Sequence, residues 1–118
     1  MTSQQHSYEH FDPQQVQEIA DNDEELIKEI ITIFLATNPA NIADLEAAIA
    51  AGDRVQVEFT GHKLIGAFRL IGAEQLALYA EELGQVKDDT AKLTMLQEQI
   101  KTGSDKLMEE ISEYSARM

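Results

Sequence analysis

The sequence predicts an all-α fold: an antiparallel up-down four-helix bundle with an additional short N-terminal helix. Three observations carry this. Only two prolines and six glycines occur in 118 residues, and the abundant Ala, Leu, Glu, Gln and Ile favour helix nearly everywhere. No window alternates apolar and polar residues with the period of two expected of a half-buried strand. Apolar residues instead recur every three or four positions in segments of helical length, joined by short polar links.

Residues 1–10 are polar and are expected to form a flexible tail, with one domain over 11–118. Asp12 can cap a short helix that opens at Pro13, with Phe11 placed as a hydrophobic staple. Asp21, Asn22 and Asp23 supply the next cap, and Leu26, Ile27, Ile30, Ile31, Ile33, Phe34 and Leu35 give the following helix a broad apolar face. Pro39 is expected to break or kink that helix, and Asn38 before it is biased away from helical geometry. A further segment carries Ile42, Leu45, Ala48 and Ile49 up to Gly52. Asp53 caps a helix from Arg54 to Ile71, and Gly72 stands where a C-terminal glycine belongs. Residues 73–86 repeat apolar positions at Leu76, Tyr79, Ala80 and Leu83. Asp88, Asp89 or Thr90 opens a last long helix through Leu93, Leu96, Ile100, Leu107 and Ile111, with Gly103 as a mild weak point inside it.

Composition excludes several functions. There is no cysteine, so disulfides, thiolate metal sites and cysteine nucleophiles are ruled out. The formal net charge of −13 repels nucleic acid and anionic lipid, which draw affinity from clustered Lys and Arg. The longest apolar stretch, Ile30 to Thr37, is too short to span a bilayer. The polar start after Met1 has no basic or apolar leader pattern, so a cytoplasmic location is expected. Asp21 to Glu25 begins like a calcium loop, but Leu26 occupies the required glycine position and Thr32 the twelfth. The run reads as cap and first-turn acids. His6 and His10 have metal-ligand spacing without a third ligand and are expected to be solvated, so no metal site is assigned. Phosphate-cradling glycine loops, kinase signatures and the Gly-x-Ser-x-Gly elbow are absent. Nothing amounts to a self-contained enzyme active site.

One helix carries chemistry. With His62 at zero on a helical wheel, Val57, Thr60, Leu64, Ala67, Phe68 and Ile71 cluster near roughly 140° to 240° and form the core face. His62 points the other way. Within about 60° of it lie Val55, Glu58, Phe59, Ile65, Gly66 and Arg69. The apolar residues Val55, Phe59 and Ile65 around an exposed histidine form a candidate docking surface. Gly66 lowers helix propensity by about 1 kcal/mol relative to alanine, but clears bulk beside the imidazole. Arg69, two turns along, can supply a cation to an anion carried by His62. A neutral imidazole is a competent nucleophile, and phosphoryl transfer asks a protein mainly for positioning and charge stabilisation.

The stretch from His62 to Ala73, His-Lys-Leu-Ile-Gly-Ala-Phe-Arg-Leu-Ile-Gly-Ala, resembles the histidine-containing phosphotransfer (HPt) domain family of multistep phosphorelays. The likeness extends to Phe34-Leu-Ala-Thr-Asn-Pro39, to Leu45 through Asp53, and to Leu76 through Leu83, and covers roughly residues 20–112. The resemblance implies that His62 is the phosphoacceptor and that Gly66 leaves room for the phosphoryl group and an incoming receiver domain. Two positions depart from the family pattern. Ile65 stands where the family usually has lysine, for which Arg69 is a substitute and Lys63 a less well placed one. Gly84 stands where some members hold a glutamine that bonds the histidine ring, with Gln85 one residue on. The implied partners are response-regulator receiver domains and a hybrid sensor histidine kinase. The implied Mg2+ sits on the receiver, with no intrinsic cofactor, no kinase activity and a monomeric chain here. Two other functions fit the same residues: a transfer-impaired docking module that inhibits a receiver or kinase, and a generic helical adaptor.

Overall fold

In the computed structural model, which describes residues 8–118, five helices form among those residues and no strand does. The first, α1 (Pro13–Ile19), starts as the sequence dictates: the Asp12 carboxylate accepts from the Gln14 N–H, and Pro13 sits at the first turn, where its missing donor costs nothing. α2 (Glu24–Ala51) is capped by Asp23, which accepts from the N–H groups of Glu25 and Leu26. α3 (Arg54–Leu70) is capped by Asp53, bonded to the Gln56 N–H. α4 spans Glu74–Leu83, and α5 (Thr90–Ala116) begins at Asp89, which accepts from the Lys92 N–H.

Two sequence expectations are corrected. The first is the break at Pro39: α2 runs unbroken through it for 28 residues. An interior proline costs about 3 kcal/mol through its lost hydrogen bond and ring clash. Against that, Ile27, Ile31, Phe34, Ile42 and Leu45 are buried along a single face that spans the proline. Each contributes about 1.5–3 kcal/mol of burial, so their sum outweighs the local penalty. Pro39 itself is exposed, where water can take the freed carbonyl. The second concerns Gly103, which is a packing position: a Cβ there would lie 2.5 Å from Leu76 Cδ2, so glycine lets α4 and α5 approach closely.

α2 packs on α3 and α5, and α4 packs on the same two, closing the antiparallel ring. The Phe34 and Phe68 rings, 6.4 Å apart, align the end of α3 with the first half of α2. Helix length makes the ring uneven, because α3 and α4 have 17 and 10 residues against 28 and 27 in α2 and α5. The long pair therefore overshoots the short pair. α1 and the chain before it fill the overhang, where Phe11 meets Tyr114 edge-on at 5.2 Å. The Glu110 carboxylate, nearly buried, accepts from the backbone N–H groups of Glu9, His10 and Phe11 at 2.8, 2.9 and 3.0 Å. Burial, and then the Glu113 carboxylate, push the Tyr8 phenol above its ordinary value.

Of the tail expected over 1–10, residues 1–7 lie outside the described residues, and residues 9 and 10 are held by Glu110. His6 also lies outside them. His10 departs from the solvated reading: its side chain is 13% exposed and lies against Gly103.

Candidate phosphoryl-transfer face

α3 is fixed at both ends by its own sequence. At its C-terminus Gly72 has φ of 80°, and the N–H of Ala73 reaches the Phe68 carbonyl at 2.7 Å while that of Gly72 reaches Arg69 at 3.2 Å. This paired closure needs the left-handed conformation that glycine adopts freely. At the other end the Arg54 guanidinium bonds the Val86 carbonyl and ties the loop after α4 to the start of α3. Val57, Thr60, Leu64 and Phe68 face the core, with Ile71 following, as the periodicity requires, while Ala67 is only half-buried. Gly61 joins them, which the wheel did not signal. Its backbone faces α4, where a Cβ would sit 3.6 Å from the Ala80 carbonyl.

His62 is exposed at the middle of α3. Val55 and Phe59, two turns and one turn before it, are 74% and 57% exposed, and Glu58 is exposed beside them. Gly66, one turn after, faces open space: a Cβ there would meet nothing within 4 Å. Lys63 turns its ammonium over the Phe59 ring, 5.1 Å from the centroid. Such a contact at an exposed position contributes about 0.5–1 kcal/mol.

The other expected residues are placed differently. Ile65 does not belong to the exposed apolar group; it is half-buried and packs against the core. On the wheel it lies on the same flank of His62 as Arg69, and that flank faces α4, because Arg69 pairs with acids there. The Arg69 guanidinium bonds the Glu81 carboxylate, and its Nε lies 4.0 Å from Glu74. The expected cation is thus already engaged. Gln85 is exposed in the turn after α4, its N–H bonded to the Glu82 carbonyl at 3.0 Å. Of the three apolar residues expected around His62, Val55 and Phe59 are therefore the exposed ones. Glu81 and Glu74 went unnoticed in the sequence, which has 22 acidic side chains and nothing to mark these two.

The site is a surface, not a pocket. Two clefts elsewhere, one under α1 and one between the N-terminal segment and α5, contain no residue of α3. Among the described residues no group of three or more His, Asp or Glu side chains converges to hold a metal ion.

The family model for the Hpt domain matches residues 29–116 of this chain. The chain belongs to the Hpt domain family. Hpt domains are phosphocarrier modules that interact with receiver domains and kinases in phosphorelays. The fold agrees with a solved member. The crystal structure of histidine-containing phosphotransfer protein B from Pseudomonas aeruginosa superposes with a TM-score of 0.84 at 22% identity, over 95% of this chain and 99% of that one. No curated protein matches the sequence. No helix of this Hpt domain among the described residues is long and apolar enough to cross a membrane.

Proposed function

We propose that His62 is the phosphoacceptor of this Hpt domain and relays a phosphoryl group to and from the aspartate of response-regulator receiver domains. The observation that carries the reading is an exposed imidazole at mid-helix with open space at Gly66 and an apolar approach at Val55 and Phe59. The unprotonated ring nitrogen attacks phosphorus of the receiver's aspartyl phosphate. A P–N bond forms as the P–O bond to the carboxylate breaks, and the electron pair leaves with the aspartate. The return step reverses this with the next receiver. Mg2+ belongs to the receiver, where it neutralises charge on the phosphoryl oxygens. This chain supplies the nucleophile and the docking face, without kinase activity of its own. It works as a monomer in the cytoplasm, upstream or downstream of a hybrid sensor kinase.

The test is transfer from a panel of phosphorylated receiver domains, with wild type beside His62→Gln. An acid-labile, base-stable label on wild type alone is expected, with unchanged helical circular dichroism in the variant because the side chain lies outside the core. Absence of label from every receiver would overturn the reading.

A docking module that binds a receiver or kinase without transfer is the second reading. Ile65 in the family's lysine position and the engagement of Arg69 by Glu81 favour it. Retained binding without label separates it from the first.

A further inference from the structure

Arg69 is two turns beyond His62, yet its side chain does not stay at its own level. α3 and α4 are antiparallel and meet at the turn over 71–73, which sets Glu74 level with Arg69. A Cβ at Gly61 would stand 3.6 Å from the Ala80 carbonyl and 3.9 Å from Leu83 Cδ1, which sets Glu81 level with Gly61 and His62. An arginine whose Nε lies near Glu74 and whose terminal nitrogen bonds Glu81 therefore runs back along α3 toward the histidine. Side chains on a helix lean toward its N-terminus, so this course is unstrained. The guanidinium is therefore held between the levels of residues 62 and 69, on the flank of α3 that carries Ile65 and faces α4.

Both partners of the Arg69–Glu81 pair are substantially exposed, at 45% and 39%. A pair in water is held weakly and exchanges readily. A phosphoryl group brings up to two charges and three acceptor oxygens, and guanidinium meets such an oxyanion in bidentate fashion. It outcompetes a single carboxylate for the same cation.

We propose that Glu81 is a positioning residue for phosphoryl transfer, parking the Arg69 guanidinium on the α4-facing flank of His62 and yielding it to the phosphoryl group on His62. The inference rests on His62 as phosphoacceptor. It assigns the charge-stabilising role to a cation reached from α4's flank rather than from residue 65.

The probe is phosphoramidate, which needs no partner protein: its P–N bond breaks, ammonia leaves, and a P–N bond to His62 forms. Glu81→Gln keeps a hydrogen-bond acceptor for Arg69 but removes the competing charge, and is expected to speed labelling about two- to fivefold. Arg69→Ala is expected to slow it by a similar factor. Glu81→Gln in the Arg69→Ala background is expected to change nothing, and Glu81→Asp to restore the wild-type rate. Phosphorus NMR supplies a readout that a merely structural role would leave unmoved. The second ionisation of the phosphoryl group should shift to higher pH in Arg69→Ala and to lower pH in Glu81→Gln. Equal acceleration by Glu81→Gln with and without Arg69 would overturn the inference, as would a rate and ionisation indifferent to both residues while wild type still labels. No label on wild type overturns the carrier reading and this inference together.

Discussion

At Gly66 a side chain would meet nothing within 4 Å, so glycine sits in the interior of α3 without a packing reason. The cost is intrinsic, because glycine in a helix interior destabilises by about 0.5–1 kcal/mol relative to alanine. Gly66→Ala is therefore expected to raise unfolding free energy by about that amount in urea titration while slowing label transfer from a receiver domain. Stability and transfer moving in the same direction would sink the claim that the space serves a partner. Ile65→Lys tests the neighbouring position. The lysine stem can cover the half-buried groove that Ile65 covers and carry its ammonium out toward Glu81. Faster transfer than wild type is expected, and no transfer in either protein would favour the docking module. The exposed placement of His62 and Gly66 on one face of α3 was legible in the sequence, because spacing along one helix fixes it. The pairing of Arg69 with Glu81 was not, because it joins residues 12 apart on two helices whose register only packing decides.

Element boundaries were legible wherever a capping side chain announces them. Asp12, Asp23, Asp53 and Asp89 each accept a backbone N–H at a helix start. Proline and glycine misled where tertiary contact outweighs propensity. Pro39 lies within α2 because burial along the whole helix exceeds its local penalty, and Gly103 admits Leu76. Gly72 is a different case, with φ of 80° and Asp12 Cβ only 2.6 Å from where a Cβ would stand. Gly72→Ala meets both backbone strain and the N-terminal segment, and is expected to destabilise by about 1–3 kcal/mol in thermal or urea unfolding. A neutral outcome would mean that the link between α1 and the end of α3 is loose. The clasp at Glu110 was also invisible in sequence, since its three donors are backbone groups about a hundred residues away. Glu110→Ala leaves those donors without their acceptor and is expected to cost about 1–3 kcal/mol. Hydrogen exchange should quicken at the amides of residues 9–11, with His62 labelling unchanged; slow exchange there would show that other contacts hold the segment.

On the whole molecule, a formal net charge of −13 leaves few places where a protein partner can settle without meeting acids. The apolar pair Val55 and Phe59 beside His62 is one such place, and it needs no complementary charge to bind. Aromatic anchors of this kind dominate many interfaces, where truncation costs 2 kcal/mol or more. Phe59→Asp is therefore expected to weaken binding of a receiver domain that labels wild type, raising Kd about tenfold or more. Folding stability should fall by no more than about 1 kcal/mol, because the ring is exposed and loses only its contact with Lys63. The substitution also adds one acid to 22, so charge needs a control of equal sign elsewhere. Ser112→Asp, exposed on α5 away from α3, supplies it. Loss of binding in Phe59→Asp with binding intact in Ser112→Asp assigns the loss to the apolar contact. Equal binding by both variants would mean that the partner does not approach across Phe59, and a generic helical adaptor would then account for the chain better than a face built around His62.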